Sequence, residues 1–395
     1  MNALHLTEIG LCFSMLCWAQ EVEVVEAALQ KELFNWQGRL VVPGITAAFV
    51  LPDGQFGEVA VGVADLETGE HMTHQHRMLA ASIGKSFVGA TALLLESEGR
   101  LNLDEPIKKW LGSEPWFSRL PGGDRITARH LLTHTSGLPD HVHLPVFQES
   151  VAEHWHEQAN PFPPEALIGY VLDQPLLFSP GEGWSYSDTG FVLLGILLEN
   201  VTGESVVDVI EERFLIPLHL THTEPSDHRD LQGLAPGYTA KENPFGFPVK
   251  STDGESRMRW HPGVENLGGG LISTSGDLAR WGDALFAGAA LPKSARVELR
   301  KTVATSAEPG SMRVGAGVGF LPQTPLGPVW GHGGWIPGYL SSLRHYSEHK
   351  ITIAFQMNSD DLKSSVSPDW MREMELRLAE VVIQALEEGD HAERH

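Results

Sequence analysis

In the stretch LAASIGKSF, residues 79–87, a serine and a lysine stand three apart, directly before the apolar run VGATALLLESEG. A serine in the first turn of a helix lies beside unpaired backbone N–H groups and the positive end of the helix dipole, where a developing alkoxide or oxyanion is favoured. Lys85 falls on the same face as Ser82, one turn up. A neutral lysine there can take the serine proton, and partial burial and the helix terminus push its pKa in that direction. The chemistry is that of a serine nucleophile with an amine base. The same spacing also suits a capping serine followed by a surface lysine, so Ser-x-x-Lys needs support from elsewhere in the chain. GWSYSDTGFVLLG supplies some: it places Tyr186 in a tight polar turn before an apolar helix, where a phenol near Lys85 relays a proton to a leaving group. VWGHGGWIPGY places His332, Gly333 and Gly334 at the end of a strand, and glycine there lets the backbone approach a ligand closely.

The elements that must position these residues follow from periodicity. EVEVVEAALQKELFNW has helical spacing, and GITAAFVLPDGQFGEVAVGVADLETGE reads as two β-rich runs joined by a Pro-Asp-Gly turn. An apolar helix is expected from about 84 to 98, closed by Gly99. From roughly 100 to 260, helical patterns are broken by loops rich in Pro, Gly and His. Beyond them, SGDLARWGDALFAG reads as a capped helix, and VGAGVGFLPQ, GPVWGHGG, YLSSLRHYS and KITIAFQMN as strands. DWMREMELRLAEVVIQALEEG reads as a long closing helix. Strands from both ends of the chain thus enclose helices in the middle. This order predicts a discontinuous α/β unit, 21–99 with 265–390, and a mainly helical unit, 100–264.

Composition narrows the partners. Against 51 Asp and Glu the 395 residues carry only 28 Lys and Arg, a formal charge of -23, which repels nucleic acid and anionic membrane surfaces. The two cysteines, Cys12 and Cys17, lie in IGLCFSMLCWAQ, an apolar segment too short to span a bilayer but suited to a signal-peptide core. Residues 1–20 therefore read as a signal peptide and the protein as exported, to the periplasm or beyond. Glu8, and the lack of Lys or Arg before Lys31, favour the cytoplasmic alternative, an ordinary N-terminal helix. HVH (141–143) and HWH (154–156) read as solvated histidines, because no cysteine or matched carboxylate set completes a metal site. No metal or cofactor is expected. His134 reads as a loop anchor and the glycines 268–270 as close backbone packing. Trp116, Trp155 and Trp184 are candidate walls of an apolar acyl pocket.

Taken in order, the three motifs resemble the serine β-lactamase and penicillin-binding superfamily. The closer likeness is to class C β-lactamases, D,D-carboxypeptidases, D-aminopeptidases and related esterases, which use Ser-x-x-Lys, then Tyr-x-Asn, then Lys-Thr-Gly or His-x-Gly. ITARHLLTHTSGLPD (126–140) and LGGGLISTSGDLARWGDALF (267–286) extend the likeness over roughly residues 40–385. The resemblance implies an α/β (α+β) fold of the β-lactamase/transpeptidase kind, an antiparallel sheet flanked by helices with an all-α domain against it and the site in the cleft. It implies Ser82 as nucleophile, Lys85 as its proton partner, Tyr186 as second general base and acid, and the backbone N–H groups of Ser82 and Trp335 as oxyanion hole. Asp188, His332, Gly333 and Gly334 would lie against substrate.

Two departures bear on that substrate. Asp188 stands where the family often has Asn; ionised, it donates no amide N–H and holds Lys85 charged, which shifts the base role towards Tyr186. His332 and Gly333 replace Lys and Thr, removing a permanent cation and a hydroxyl that grip a carboxylate. The expected partner is a small ester, amide or peptide, with neutral substrates preferred and the oligomeric state open. A class C-like β-lactamase or D-Ala-D-Ala carboxypeptidase is the alternative within the class. Outside it stands a penicillin-binding sensor without turnover, against which the presence of both Lys85 and Tyr186 counts.

Overall fold

The computed structural model describes residues 4–393 apart from 158, 161 and 363–365. Of the stretch read as a signal peptide, residues 1–3 lie outside the described residues, and the backbone from residue 4 belongs to one helix, α1 (Leu4–Leu40). The Pro-Asp-Gly turn joins β1 (Gly44–Val50) to β2 (Phe56–Gly62) in an antiparallel hairpin. Six further strands come from the other end of the chain: β3 (Val303–Ala304), β4 (Arg313–Val314), β5 (Gly319–Leu321), β6 (Val329–Ile336), β7 (Tyr339–Tyr346) and β8 (Ile351–Met357). Their order in the sheet is β2-β1-β8-β7-β6-β5-β4-β3, with every pairing antiparallel. The sheet is therefore closed at its centre by the first strand pairing with the last.

Every residue of β1 and β8 is buried, because both faces of the sheet are covered. Ile45, Ala47 and Phe49 join Ile351, Ile353, Phe355 and Met357 in one apolar layer under α1 and the closing helix α6 (Trp370–Glu393). Val25, Leu29, Leu33, Trp36 and Leu40 recur at helical spacing on α1 and face this layer, each contributing about 1.5–3 kcal/mol on burial. The alternate residues point the other way. Thr46 Oγ1 meets Ser275 Oγ at 2.7 Å, on α4 (Ser275–Asp283), and Ala48 joins the second and larger core.

That core also holds α2 (Gly84–Ser97) and α3 (Asp188–Thr202), whose runs FVGATALLL and TGFVLLGILL are buried throughout. Ser187 caps α3 by accepting from Gly190 N at 3.4 Å, and Gly203 ends it in the left-handed region at φ +77°. Among the described residues, no single helix is long and apolar enough to cross a membrane. One expected element differs. VGAGVGFLPQ is not one strand: the chain leaves the sheet between β4 and β5, where Gly317 N donates to Leu132 O at 3.3 Å and its backbone lies against the Lys85 carbonyl. The glycines that weaken the strand let this loop pack on the start of α2.

Candidate active site

Ser82 sits in a single 3-10 turn, Ala81–Ile83, that runs into α2. Ala81, the residue before it, holds a left-handed φ of +50°, an uncommon conformation for a non-glycine residue. Two neighbours press on this turn. A Cβ at Gly84 would overlap the Gly269 carbonyl, and one at Gly334 would overlap Ser341 Oγ and the Ala80 carbonyl. Glycine at both positions lets the 268–270 loop and β6 close on the serine from two sides. Ser341 Oγ fixes the second approach by donating to Ala80 O at 2.8 Å.

Lys85 is fully buried. Its ammonium donates to Ser82 Oγ at 3.1 Å, to Asp188 Oδ1 and to the Gly268 carbonyl, which uses all three of its protons. Burial pushes the lysine down, but Asp188 and Tyr186 outweigh it and hold the amine above the ordinary lysine value. Burial likewise pushes Asp188 up, and Lys85 reverses the sign, leaving the carboxyl below the usual range. The resting site thus contains an ammonium–carboxylate pair, the state expected if Asp188 is ionised.

Tyr186 is pushed up to about 12, chiefly by burial, with Lys85 opposing. Among the described residues its buried hydroxyl has no hydrogen-bond partner at close range, though it lies within polar reach of Lys85 and Ser82. The ring stacks on His134 at 4.3 Å and has Lys85 Nζ 5.1 Å from its centroid. His134 in turn accepts from Ser187 N at 3.2 Å, so it anchors the loop that carries the tyrosine.

On β6, the His332 ring is tied to the Gly333 carbonyl, and burial, reinforced by Lys85, lowers it to about 4. The imidazole is neutral at physiological pH. Arg344, paired in register with Gly331, does not replace the missing cation: it is committed to Glu375 Oε1 at 3.0 Å and to Leu343 O at 3.3 Å. Trp335 is 44% exposed and donates its indole N–H to Asp360 Oδ2 at 2.8 Å. Ser82, Tyr186, Asp188, His332, Gly333, Gly334 and Trp335 all border one cavity of about 440 Å³. Its other walls are largely apolar, from Phe147, Phe245, Phe247, Leu340 and Met371.

The family model described as Beta-lactamase matches residues 26–377. The chain belongs to the β-lactamase family. Within this family it is 26% identical to penicillin-binding protein 4* of Bacillus subtilis (strain 168) over 71% of this chain and 60% of that one. Esterase EstB of Burkholderia gladioli is 30% identical, over 72% of this chain and 71% of its own length. A D-stereospecific amidohydrolase from Streptomyces sp. superposes with a TM-score of 0.74 at 29% identity, covering 91% of this chain and 98% of the other. The antiparallel sheet flanked by helices is the arrangement that the motifs implied.

The cleft of this β-lactamase-family chain also holds groups that motif reading passed over. Trp116, Trp155 and Trp184 do not line the main cavity. Trp184 borders a smaller one of about 170 Å³ behind Tyr186 and His332, Trp155 packs near Trp260, and Trp116 lies against the core. His141 is buried rather than solvated, with Nδ1 2.9 Å from Thr189 Oγ1, and burial lowers it to about 4. Among the described residues no group of three His, Cys, Asp or Glu is placed to hold a metal. Asp140 Oδ1 accepts from Asp188 N at 3.2 Å, and burial, with Asp188 adding, pushes its carboxyl up to about 7. Glu265 precedes the three glycines; burial raises it to about 8, and among the described residues its Oε2 has no hydrogen-bond partner.

A raised carboxyl binds a proton in the folded state that the unfolded chain has released, so stability falls as pH rises from about 4.5 towards about 8. Replacing Glu265 by Gln is therefore expected to stabilise the protein at pH 8 and to flatten its stability between pH 5 and 8. Urea unfolding at the two pH values measures this, and an unchanged slope excludes a neutral buried Glu265.

Proposed function

We propose that the protein hydrolyses neutral esters or amides with an apolar acyl group, through an acyl-enzyme on Ser82. The observation that carries this reading is a buried lysine 3.1 Å from the serine, at the edge of a largely apolar cavity whose lining includes no Lys or Arg. The named activities of EstB and of the Streptomyces amidohydrolase support the ester and the amide side respectively.

In the proposed reaction, Ser82 Oγ attacks the carbonyl carbon while its proton passes to Lys85 Nζ and a lysine proton passes to Asp188 Oδ1. Asp188 is the basic end of this relay. Tyr186, protonated at neutral pH, gives its hydroxyl proton to the leaving oxygen or nitrogen; the resulting phenolate recovers a proton from Lys85, and Asp188 returns its proton to the lysine, which restores the resting pair. The base role expected for Tyr186 is thus divided: Asp188 accepts and Tyr186 donates. The backbone N–H groups of Ser82 and Trp335 hold the oxyanion. Water then attacks the acyl-enzyme along the reversed route. Export directed by residues 1–20, and a division into a discontinuous α/β unit and a mainly helical one, belong to the same proposal.

The test is a panel of p-nitrophenyl esters of increasing acyl length, set beside nitrocefin and D-amino-acid anilides. kcat/KM is expected to rise about four-fold per added methylene until the cavity is full, following a burial gain of about 0.8 kcal/mol per CH₂. Nitrocefin should lag by orders of magnitude, since neutral His332 offers its carboxylate no charge. Fast nitrocefin turnover with negligible ester cleavage would replace this reading with the lactamase one.

A further inference from the structure

A further cavity, of about 730 Å³, shares no lining residue with the catalytic one. It is bounded by the β1–β2 turn, the segment after α4, helix α5 (Lys293–Leu299) with Arg300 beyond it, and the β7–β8 turn. Its floor is aromatic: Phe286 stacks on His345 at 5.7 Å and lies 6.2 Å from Trp330. Its lining also includes three permanent cations, Arg296, Arg300 and Lys350.

None of these three makes an ion pair among the described residues, and the Nε of Arg296 is buried without a hydrogen-bond partner. Elsewhere on this acidic chain, Lys108, Lys109 and Arg119 each hold a carboxylate at 2.7 Å. The cavity's own acids do not take that part. Asp53 accepts two hydrogen bonds from Gln55, at 2.9 and 2.6 Å, and Asp283 accepts from the Thr352 hydroxyl at 3.5 Å; neither pairs with a cation among the described residues. Three cations and two carboxylates line a cavity with an aromatic floor, so its lining carries an excess of positive charge in a protein whose net charge is -23.

We propose that this cavity binds a small organic anion with an aromatic or apolar body, a carboxylate or a phosphate monoester. The guanidinium groups of Arg296 and Arg300, one turn apart, present planar donor forks to the acidic group, and Lys350 adds a point charge. The body of the ligand lies on Phe286 and Trp330. A fatty or aryl acid released by the hydrolysis proposed above belongs to this class; that link rests on the proposed function, whereas the binding site does not.

Calorimetric titration of the full chain with 4-phenylbutyrate, phenyl phosphate, inorganic phosphate and neutral 4-phenylbutanol tests the proposal without reference to turnover. One or both amphiphilic anions should bind at one site per chain, with inorganic phosphate and the alcohol at least about ten-fold weaker. Whichever anion wins identifies the acidic group. Added salt should weaken the binding. The double variant Arg296→Ala/Arg300→Ala should lose at least about ten-fold in affinity. If that variant does not fold, Lys350→Gln and Arg300→Gln, both at exposed positions, should each lose several-fold. Absence of saturable binding by either anion, equal binding of the alcohol, or affinity unmoved by these variants overturns the proposal.

Discussion

Replacing Ser82 by alanine is expected to lower turnover of every substrate by about 10⁴-fold or more and to abolish covalent labelling by a serine-directed phosphonate. The expectation rests on the approach of two backbone segments to the turn that carries this serine, which leaves its Oγ beside Lys85 at the cavity edge. The variant should remain folded, because among the described residues Ser82 Oγ accepts its one close hydrogen bond from a lysine that keeps two other acceptors. A change in unfolding free energy below about 1 kcal/mol, alongside lost labelling, would separate chemistry from structure. Labelling of the variant at the wild-type rate would remove Ser82 from the reaction.

Lys85→Ala should fail in both respects. Loss of the proton relay is expected to cost about 10²–10⁴-fold in kcat/KM. Loss of the ammonium also leaves Asp188, with 21% of its side chain exposed, as a charge without its partner, a destabilisation of about 1–3 kcal/mol. The double variant Lys85→Ala/Asp188→Ala should recover much of that stability and none of the activity. The pH dependence has a definite form. Asp188 is lowered by folding, so its contribution is present above its unfolded pKa of about 3.9 and lost as pH falls through the folded value. Lys85 is raised, so its contribution is present below about 10.4 and lost as pH rises through the folded value. In Lys85→Ala, burial is no longer opposed by the ammonium and raises Asp188, and Asp140 and Glu265 lose the same cation, so the gap between wild type and variant should widen as pH rises from about 5 to 9. Urea titrations at pH 5, 7 and 9 give that gap; a variant as stable as the wild type would mean that the pair is not formed.

Much of this site was legible in the sequence because its chemistry is bound to local structure. Ser-x-x-Lys at a helix start places both side chains on one face whatever the surroundings, and α2 runs from Gly84 to Ser97 against an expected 84 to 98. The hairpin and the strands β6 to β8 carry their own turn and β-branched signals. The cavity walls do not. Phe147 lies on a short helix and Phe245 and Phe247 in a loop, where no periodicity marks which side chain faces the cleft; the tryptophans, chosen for size, pack elsewhere. His141 could not be told from its exposed neighbour His143, because their difference lies in Thr189, which meets His141 only in the folded chain. Glu265 was invisible for a similar reason: a buried carboxyl near Lys85 is a tertiary fact, and its sequence context is three glycines that read as packing.

The pairing of the first strand with the last also sets a timetable. As the protein is synthesised, the β1–β2 hairpin and the Ser82 turn emerge early, but β8, the inner neighbour of β1, emerges near the end, as does β6, which must lie across Ala80 and Ala81. Until then the buried face of α1 has only the β1–β2 hairpin to pack on, and the nascent chain carries exposed apolar surface at a stage when aggregation competes with folding. Such long-range closure slows folding and ties catalytic competence to completion of the sheet. Truncation within β8 should consequently silence the serine while leaving every residue of the three motifs in place.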